Sequence, residues 1–190
     1  EDFVHARYPR HAQPILLCEL DGTNEEVSEQ IFQVREILKK SGATEARTAT
    51  DEAERMTFWK GRKAAFPAVG RISPDYYCMD GTIPRKRLPE VLRAMAELSE
   101  EYQLSVANVF HAGDGNLHPT CLTDERDKEE ITRVEKAFHE IYDETIKLGG
   151  TVTGEHGVGI AKKEFLTKMI NVPTLDMMKK IKNAIDPNNV

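Results

Sequence analysis

The sequence predicts an α+β fold in which helices cover an antiparallel sheet. Short apolar runs, typical of buried strands, alternate along the chain with longer segments in which apolar residues recur at helical spacing. The order of these segments is β-α-β-α-β-α-β-β-α-β-α, which mixes helices with strands instead of separating them. We therefore expect ferredoxin-like units, in which helices pack on one face of the sheet.

The length and composition of the chain fit one ordinary domain or two small subdomains. Of its 190 residues, 39% are hydrophobic and 31% are charged, which is typical of a globular protein. The net charge of -6 argues against a nucleic-acid partner, because phosphates are bound by clustered lysine and arginine. No apolar run approaches the roughly 20 residues that span a bilayer. The three cysteines lie far apart, which favours a reducing cytoplasm over a disulfide framework or a thiolate zinc site.

The first third of the chain predicts two helices and two strands. The first helix has apolar residues at helical spacing, with Asn24 as its N-cap and Ser41-Gly42 at its end. The second helix opens with acidic residues, which suit the positive end of the helix dipole. The predicted strands lie at 14–20 and 44–50, and the predicted helices at 25–40 and 51–66.

The remainder of the chain predicts further strands and four helices. The first of these helices is amphipathic, and the second is long and charged. The strands are expected at 75–84, 104–111 and 116–122, the helices at 89–102, 125–148, about 160–170 and 174–185, and a glycine-rich segment at 150–159.

Two histidines flank a predicted turn in the segment HAGDGNLHPT, which begins at position 111. Asp114-Gly115 is a preferred pair for a two-residue type I′ hairpin loop. Such a loop would set His111 directly opposite His118, with their Cβ atoms roughly 5 Å apart. Two imidazoles at that separation can converge on one metal ion. The alternative is a cross-strand histidine pair that binds no metal.

A carboxylate and a third histidine lie among glycines in the segment GTVTGEHGVG. Gly154 and Gly157 flank Glu155-His156, and glycine permits a close backbone approach or a positive φ. A simple strand-to-helix turn is the alternative, and the spacing does not match a dinucleotide-binding fingerprint. Two histidines and one carboxylate would leave open coordination positions, as a catalytic metal requires.

Three other features have both a functional and a structural explanation. The basic run Arg85–Arg87 precedes a predicted helix, where positive charge opposes the helix dipole, so it suggests an anion or carboxylate partner. A solvated loop is the alternative. Trp59 fits helix packing better than a stack on substrate, and Arg62 by itself fits a solvated helix face.

The motifs HAGDGNLHP and TGEHGVG together closely resemble the C-terminal domain of FAD-linked oxidases of the vanillyl-alcohol-oxidase type. This family includes glycolate oxidase flavoprotein subunits and D-lactate dehydrogenases. The segments WKGRKAAF and DYYCMDGTIPRKRLPE are most similar to the glycolate oxidase flavoprotein subunit. The resemblance covers nearly the whole chain.

The resemblance implies that residues 1–190 form the cap and substrate domain, built from ferredoxin-like subdomains. In the family, an FAD-binding domain precedes this one and holds the flavin pyrophosphate with a glycine-rich loop. The glycines in the first 100 residues are all isolated, so that loop is not expected here. We therefore expect a fragment of a longer chain that lacks the N-terminal FAD-binding domain.

The resemblance also implies a set of site residues. A divalent metal, zinc or iron, would be bound by His111, His118 and Glu155. His156 would be the catalytic base, and Arg62 would hold the substrate carboxylate.

Two further positions follow from the same resemblance. Asn116 would reach the edge of the flavin, although turn stabilisation explains it equally well. Thr120 stands where some relatives have asparagine, which leaves the choice of substrate open.

The implied activity is the FAD-dependent oxidation of a small 2-hydroxy acid, glycolate or D-lactate, to the 2-oxo acid. An iron-sulfur or other electron-transfer subunit is an expected partner, through which a cytoplasmic protein could lie at the inner membrane. Two other hypotheses are a ferredoxin-like metal-binding or regulatory module without redox activity, and a purely structural interaction domain.

Overall fold

The computed structural model describes residues 4–190, which form two compact units divided between Ala68 and Val69. The described residues contain seven α-helices and small antiparallel sheets. The predicted α+β class is therefore confirmed. No helix within residues 4–190 is long and apolar enough to cross a membrane.

The regular elements of the first unit, over its described residues, are all α-helices. The N-cap of its first helix is Thr23, not Asn24 as predicted: the Thr23 hydroxyl accepts from the Glu26 amide, and the Glu26 carboxylate accepts from the Thr23 amide at 2.8 Å. This reciprocal capping box satisfies two amides that the helix leaves free. The helix ends at Ser41, as predicted. The helices are α1 (Asn24–Lys40), α2 (Glu52–Lys63) and, at the boundary of the two units, α3 (Ala65–Val69).

The strands predicted at 14–20 and 44–50 are wrong, because both segments are irregular. Ile15 and Leu16 in the first of them are 54% and 61% exposed. A strand needs a neighbour for its backbone hydrogen bonds, and a short apolar run does not specify one. The helix predicted at 51–66 is divided between α2 and α3.

The second unit contains the sheets and the remaining helices. The strands predicted at 75–84 and 116–122 are each divided in two, while the four helices lie close to their predicted positions. The elements are β1 (Asp75–Cys78), β2 (Gly81–Thr82), β3 (Ser105–Asn108), β4 (Asn116–Leu117), β5 (Pro119–Thr123), α4 (Leu88–Glu101), α5 (Lys128–Lys147), α6 (Lys163–Met169) and α7 (Val172–Ile185).

The sheet topology of the second unit is ferredoxin-like. One antiparallel sheet has the strand order β1-β5-β3, and β2 pairs with β4. After α5 the chain returns beside β2, where the amides of Thr82 and Thr151 each donate to the other's carbonyl, at 2.9 and 2.8 Å. The resulting order β-α-β-β-α-β is that of the ferredoxin-like motif, which confirms the predicted arrangement for this unit.

Several core residues of the second unit are adjacent in sequence to polar residues near the candidate site. Met79 precedes Asp80, Leu117 precedes His118, and Val152 precedes the turn that contains Glu155, and each of these apolar residues is buried. Packing therefore fixes the backbone on which the polar side chains stand. The core cluster consists of Met79, Ile83, Val91, Met95, Leu117, Ile141, Tyr142, Val152 and Phe165.

We expect Gly150→Ala to destabilise the protein by about 3 kcal/mol, because overpacking against a fixed backbone cannot relax easily. A Cβ at Gly150 would lie 2.2 Å from the Thr82 carbonyl oxygen. Gly149→Ala is the matched control: its Cβ meets nothing within 4 Å, and its φ of 82° predicts a loss of about 1 kcal/mol. Urea denaturation measures both, and an equal or smaller loss for Gly150→Ala would contradict the expectation.

Candidate metal centre

The hairpin that carries the two histidines has a longer loop than predicted. His111 pairs with Asn116, with backbone hydrogen bonds of 3.0 and 3.3 Å, so residues 112–115 form the loop. The predicted type I′ loop at Asp114-Gly115 is therefore wrong. Within the loop the Asp114 amide donates to the His111 carbonyl at 3.0 Å, a turn bond that the two-residue loop would not contain.

The histidines nevertheless lie on one face of the hairpin. The Val109 amide donates to the His118 carbonyl at 3.4 Å, so the register is shifted by two residues from the predicted one. An even shift keeps each side chain on its own face of the strand. His111 and His118 are diagonal neighbours instead of direct partners, with ring centroids 5.8 Å apart. The structure thus brings the two imidazoles close together on one face of the hairpin.

Glu155 joins the two histidines. The candidate ligand atoms of His111, His118 and Glu155 all lie within 4.8 Å of one another. His118 Nε2 and Glu155 Oε1 are 2.8 Å apart. His118 is buried, whereas His111 and Glu155 are exposed, so one ligand is fixed in the interior and two face solvent.

The hydrogen bond at Nδ1 of His118 determines which ring nitrogen is free to bind a metal. His118 Nδ1 lies 3.1 Å from the Met79 carbonyl oxygen, which can only accept, so Nδ1 carries the hydrogen and donates. In the neutral ring the Nε2 lone pair then faces the Glu155 carboxylate. Two acceptors in contact require a proton or a cation beside them.

This donor set fits a divalent metal. Metal-binding histidines usually donate their second ring nitrogen to a carbonyl or carboxylate, as His118 does to Met79. Metal bonds of 2.0–2.2 Å at tetrahedral angles would place neighbouring ligand atoms roughly 3.3–3.6 Å apart. The candidate ligand atoms are separated by 2.8 Å for His118 Nε2 and Glu155 Oε1 and by no more than 4.8 Å for the other pairs, so small side-chain movements would bring them to such distances.

His156 borders the cluster without belonging to it. Its ring stacks on that of His118, with centroids 5.1 Å apart and planes inclined by 14°. Its Nε2 lies 3.9 Å from Glu155 Oε1, and the side chain is about half exposed. A substrate bound beside the three converging groups would therefore lie next to the accessible imidazole of His156.

Asp80 anchors the loop formed by residues 153–156, which we call the Glu155 loop. Asp80 is fully buried, and its Oδ2 accepts from the Thr153 hydroxyl at 2.8 Å and from the amides of Gly154, Glu155 and His156 at 2.9, 3.0 and 2.8 Å. Burial alone would raise the pKa of Asp80, but the four donors outweigh it and lower the pKa to about 2. Sequence reasoning missed this residue, because Asp-Gly within a strand pattern signals only a turn.

Lys162 supplies a positive charge beside Asp80. Its ammonium donates to the Asp80 carbonyl at 3.0 Å and lies 3.7 Å from Asp80 Oδ2. Burial lowers the pKa of Lys162, and the charge of Asp80 opposes that shift. Because a buried charge is costly without a partner, each of these two groups makes the burial of the other tolerable.

The glycines around Glu155 have the two roles that the sequence predicted. A Cβ at Gly154 would lie 2.8 Å from Asn116 Oδ1 and 3.0 Å from Asp80 Oδ1, so the backbone approaches both side chains closely. Gly157 and Gly159 have φ of 84° and 53°, in the left-handed region that favours glycine.

The sequence profile of the family described as FAD linked oxidases, C-terminal domain, matches residues 1–190. This chain belongs to that family. The match to the FAD-linked oxidase family confirms the resemblance inferred from the two histidine motifs.

Relatives within the FAD-linked oxidase family include glycolate oxidase subunits. Subunit GlcD of Escherichia coli (strain K12) is 52% identical over the whole chain, which covers 38% of that protein. Subunit GlcD of Bacillus subtilis (strain 168) is 40% identical over the whole chain, which covers 40% of that protein. A mitochondrial D-lactate dehydrogenase (cytochrome) of Arabidopsis thaliana is 31% identical over 93% of this chain, and the matched part covers 32% of that protein. The chain thus spans less than half of each relative.

The remaining candidates in this FAD-linked oxidase domain are Asn116, Arg62 and the basic run. Asn116 is buried on β4, within the hairpin. Arg62 lies in the last turn of α2, in the first unit, and its guanidinium makes no hydrogen bond or ion pair with residues 4–190. Their roles toward flavin and substrate stay predictions. In the basic run, Arg87 pairs with Glu90 at 2.8 Å on the surface.

Proposed function

We propose that this chain is the substrate-binding and cap domain of an FAD-dependent 2-hydroxyacid oxidoreductase, which converts glycolate or D-lactate to the 2-oxo acid. The observation that carries the proposal is the convergence of His111, His118 and Glu155 beside His156 in a member of the FAD-linked oxidase family. The names of the relatives, glycolate oxidase subunit and D-lactate dehydrogenase, support the same substrate class.

His111, His118 and Glu155 would hold a divalent metal, zinc or iron, since both metals accept imidazole nitrogen with carboxylate oxygen. Such a metal, when bound, polarises the substrate hydroxyl and lowers its pKa. The three protein ligands leave coordination positions open for substrate. The exposure of His111 and Glu155 provides the path by which a small acid would reach them.

His156 would remove the proton of the substrate hydroxyl. Imidazole is the side chain that most readily exchanges a proton near neutral pH. The stack of His156 on His118, and the hydrogen bond that its backbone amide donates to Asp80 Oδ2, restrict where this ring can lie. Arg62 would bind the substrate carboxylate with two parallel N–H donors.

FAD, when bound, would supply the acceptor for the hydride that leaves C2 of the substrate. An N-terminal FAD-binding domain of the full-length protein would bind most of this cofactor, and Asn116 would contribute from this chain. The electron-transfer subunit, the cytoplasmic location and attachment to the inner membrane through partners are parts of the same proposal.

Removal of metal from the full-length flavoprotein tests the proposal. We expect the purified holoenzyme to reduce a dye acceptor with glycolate or D-lactate, and a chelator to abolish this turnover while the flavin absorbance is retained. Stoichiometric Zn²⁺ or Fe²⁺ should restore the activity. Full turnover by protein that contains less than about a tenth of an equivalent of any divalent metal would contradict the assignment.

A metal-binding or regulatory module without redox activity is the second candidate. It is favoured by one observation, namely that all three candidate ligands belong to the second unit. This function predicts that the holoprotein binds Zn²⁺ through the cluster but oxidises no 2-hydroxy acid. The dye-reduction assay above therefore separates the two functions.

A further inference from the structure

Two buried oxygen atoms close to the cluster have no hydrogen-bond partner among the described residues. They are Asp80 Oδ1 and Asn116 Oδ1. Both approach the point where a Cβ on Gly154 would stand, at 3.0 and 2.8 Å. An unpaired buried acceptor costs about 1–3 kcal/mol, so two at one place require an explanation.

A half-turn of the Asn116 side-chain amide would exchange Oδ1 for Nδ2, and so would replace one of the two unpaired acceptors by a donor. Asp80 Oδ1 and the Asn116 amide approach the same point beside Gly154. The Asn116 amide in this orientation is therefore a candidate donor to Asp80 Oδ1.

We propose that Asp80 is the positioning residue that joins the two parts of the candidate metal centre. Its Oδ2 holds the Glu155 loop through four donors, and its Oδ1 receives the side-chain amide of Asn116 from the histidine hairpin. The adjacent Met79 carbonyl orients His118. One short segment after β1 thus aligns both ligand-bearing elements.

The carboxylate charge is essential to this role. Three successive backbone amides and a hydroxyl converge on one oxygen, a concave arrangement of donors that suits an anion. Hydrogen bonds to an ionised acceptor are roughly twice as strong as neutral ones. An asparagine of the same shape would therefore hold the Glu155 loop less firmly.

The backbone positions that Asp80 holds belong to Glu155, the candidate metal ligand, and His156, the candidate base. The amides of Glu155 and His156 are fixed directly, so each side chain starts from a defined Cα. A displacement of about 1 Å in such groups can cost about 100-fold in rate. Asp80 itself would touch neither metal nor substrate.

The metal part of this inference rests on the proposed function, whereas the loop geometry does not. Two readouts therefore test it in the full-length protein. Hydrogen exchange of the Gly154, Glu155 and His156 amides, measured without metal, reports on the loop. Calorimetric titration with Zn²⁺ reports on the ligands.

We expect Asp80→Asn to speed exchange at the three loop amides by roughly tenfold or more and to weaken Zn²⁺ binding about 10–100-fold, as is typical for groups that support metal ligands. Thr123→Val is the matched control. Thr123 is equally buried in the same unit and donates to Glu130 at 2.8 Å, away from the loop. It should lower the melting temperature while both readouts keep their wild-type values.

Wild-type exchange at the three amides of Asp80→Asn would overturn the proposal. Gly154→Ala tests the same contact with Asp80 left in place, because its Cβ would press on both oxygens. If Asp80→Asn does not fold, unchanged exchange and zinc affinity in Gly154→Ala would overturn the proposal. Should the wild type bind no Zn²⁺, the metal assignment fails, and amide exchange still decides the role of Asp80.

Discussion

His118→Ala is expected to lower Zn²⁺ affinity by more than about 100-fold and to reduce 2-hydroxyacid oxidation in parallel. Loss of a group that merely supports a ligand costs 10–100-fold in affinity, so loss of a ligand should cost more. His118 is the buried member of the cluster, with its ring fixed by the Met79 carbonyl. Calorimetry with Zn²⁺ and turnover of the reconstituted flavoprotein measure the two effects.

His139→Ala is the control for this variant. His139 lies on α5 in the same unit, is partly exposed, and its Nε2 lies 3.4 Å from a Glu164 carboxylate oxygen. Its replacement should leave zinc affinity and turnover unchanged. If His118→Ala binds Zn²⁺ within about threefold of the wild type, these three residues are not the metal centre.

His156→Gln is expected to reduce kcat about 10²–10⁴-fold, the usual contribution of a general base. Zinc affinity should be unchanged, because His156 Nε2 lies 3.9 Å from Glu155 Oε1 and the residue is outside the converging set. The substrate KM should change little. Steady-state kinetics and metal content of the same preparation separate this role from that of a ligand.

A kcat for His156→Gln within tenfold of the wild type would remove this residue as the base. A loss of metal together with activity would instead mark it as a ligand. His139→Gln, the same change at the partly exposed histidine of α5, controls for the substitution itself.

Local signals explain why most of the helices could be predicted. Capping residues, apolar spacing and terminal glycines lie within a few positions of the element that they define. Helix α1 was displaced by one residue at its start, and α4 begins one residue before the expected position. The strand expected at 14–20 failed because pairing depends on a distant partner that a local pattern cannot specify.

The sequence predicted the residue types of the candidate site, but not the residue that holds its loop in place. Side chains alternate between the two faces of a strand, so a register that is wrong by two residues still placed His111 and His118 on one face. Asp80 is separated from the Glu155 loop by more than 70 residues, so no spacing rule connects them. Four donors on one oxygen are visible only in three dimensions. The roles of Arg62 and Asn116 stay predictions.

The burial of His118 between a packed core and the Met79 carbonyl has a consequence for how the centre would be filled. Its ring is oriented by the hydrogen bond to the Met79 carbonyl, and the Glu155 loop is held by hydrogen bonds to Asp80. The polypeptide would thus reach its native form first and capture the cation afterwards, through the solvent-facing His111 and Glu155. Under the proposed function, a shortage of the ion would therefore lower activity without unfolding this domain.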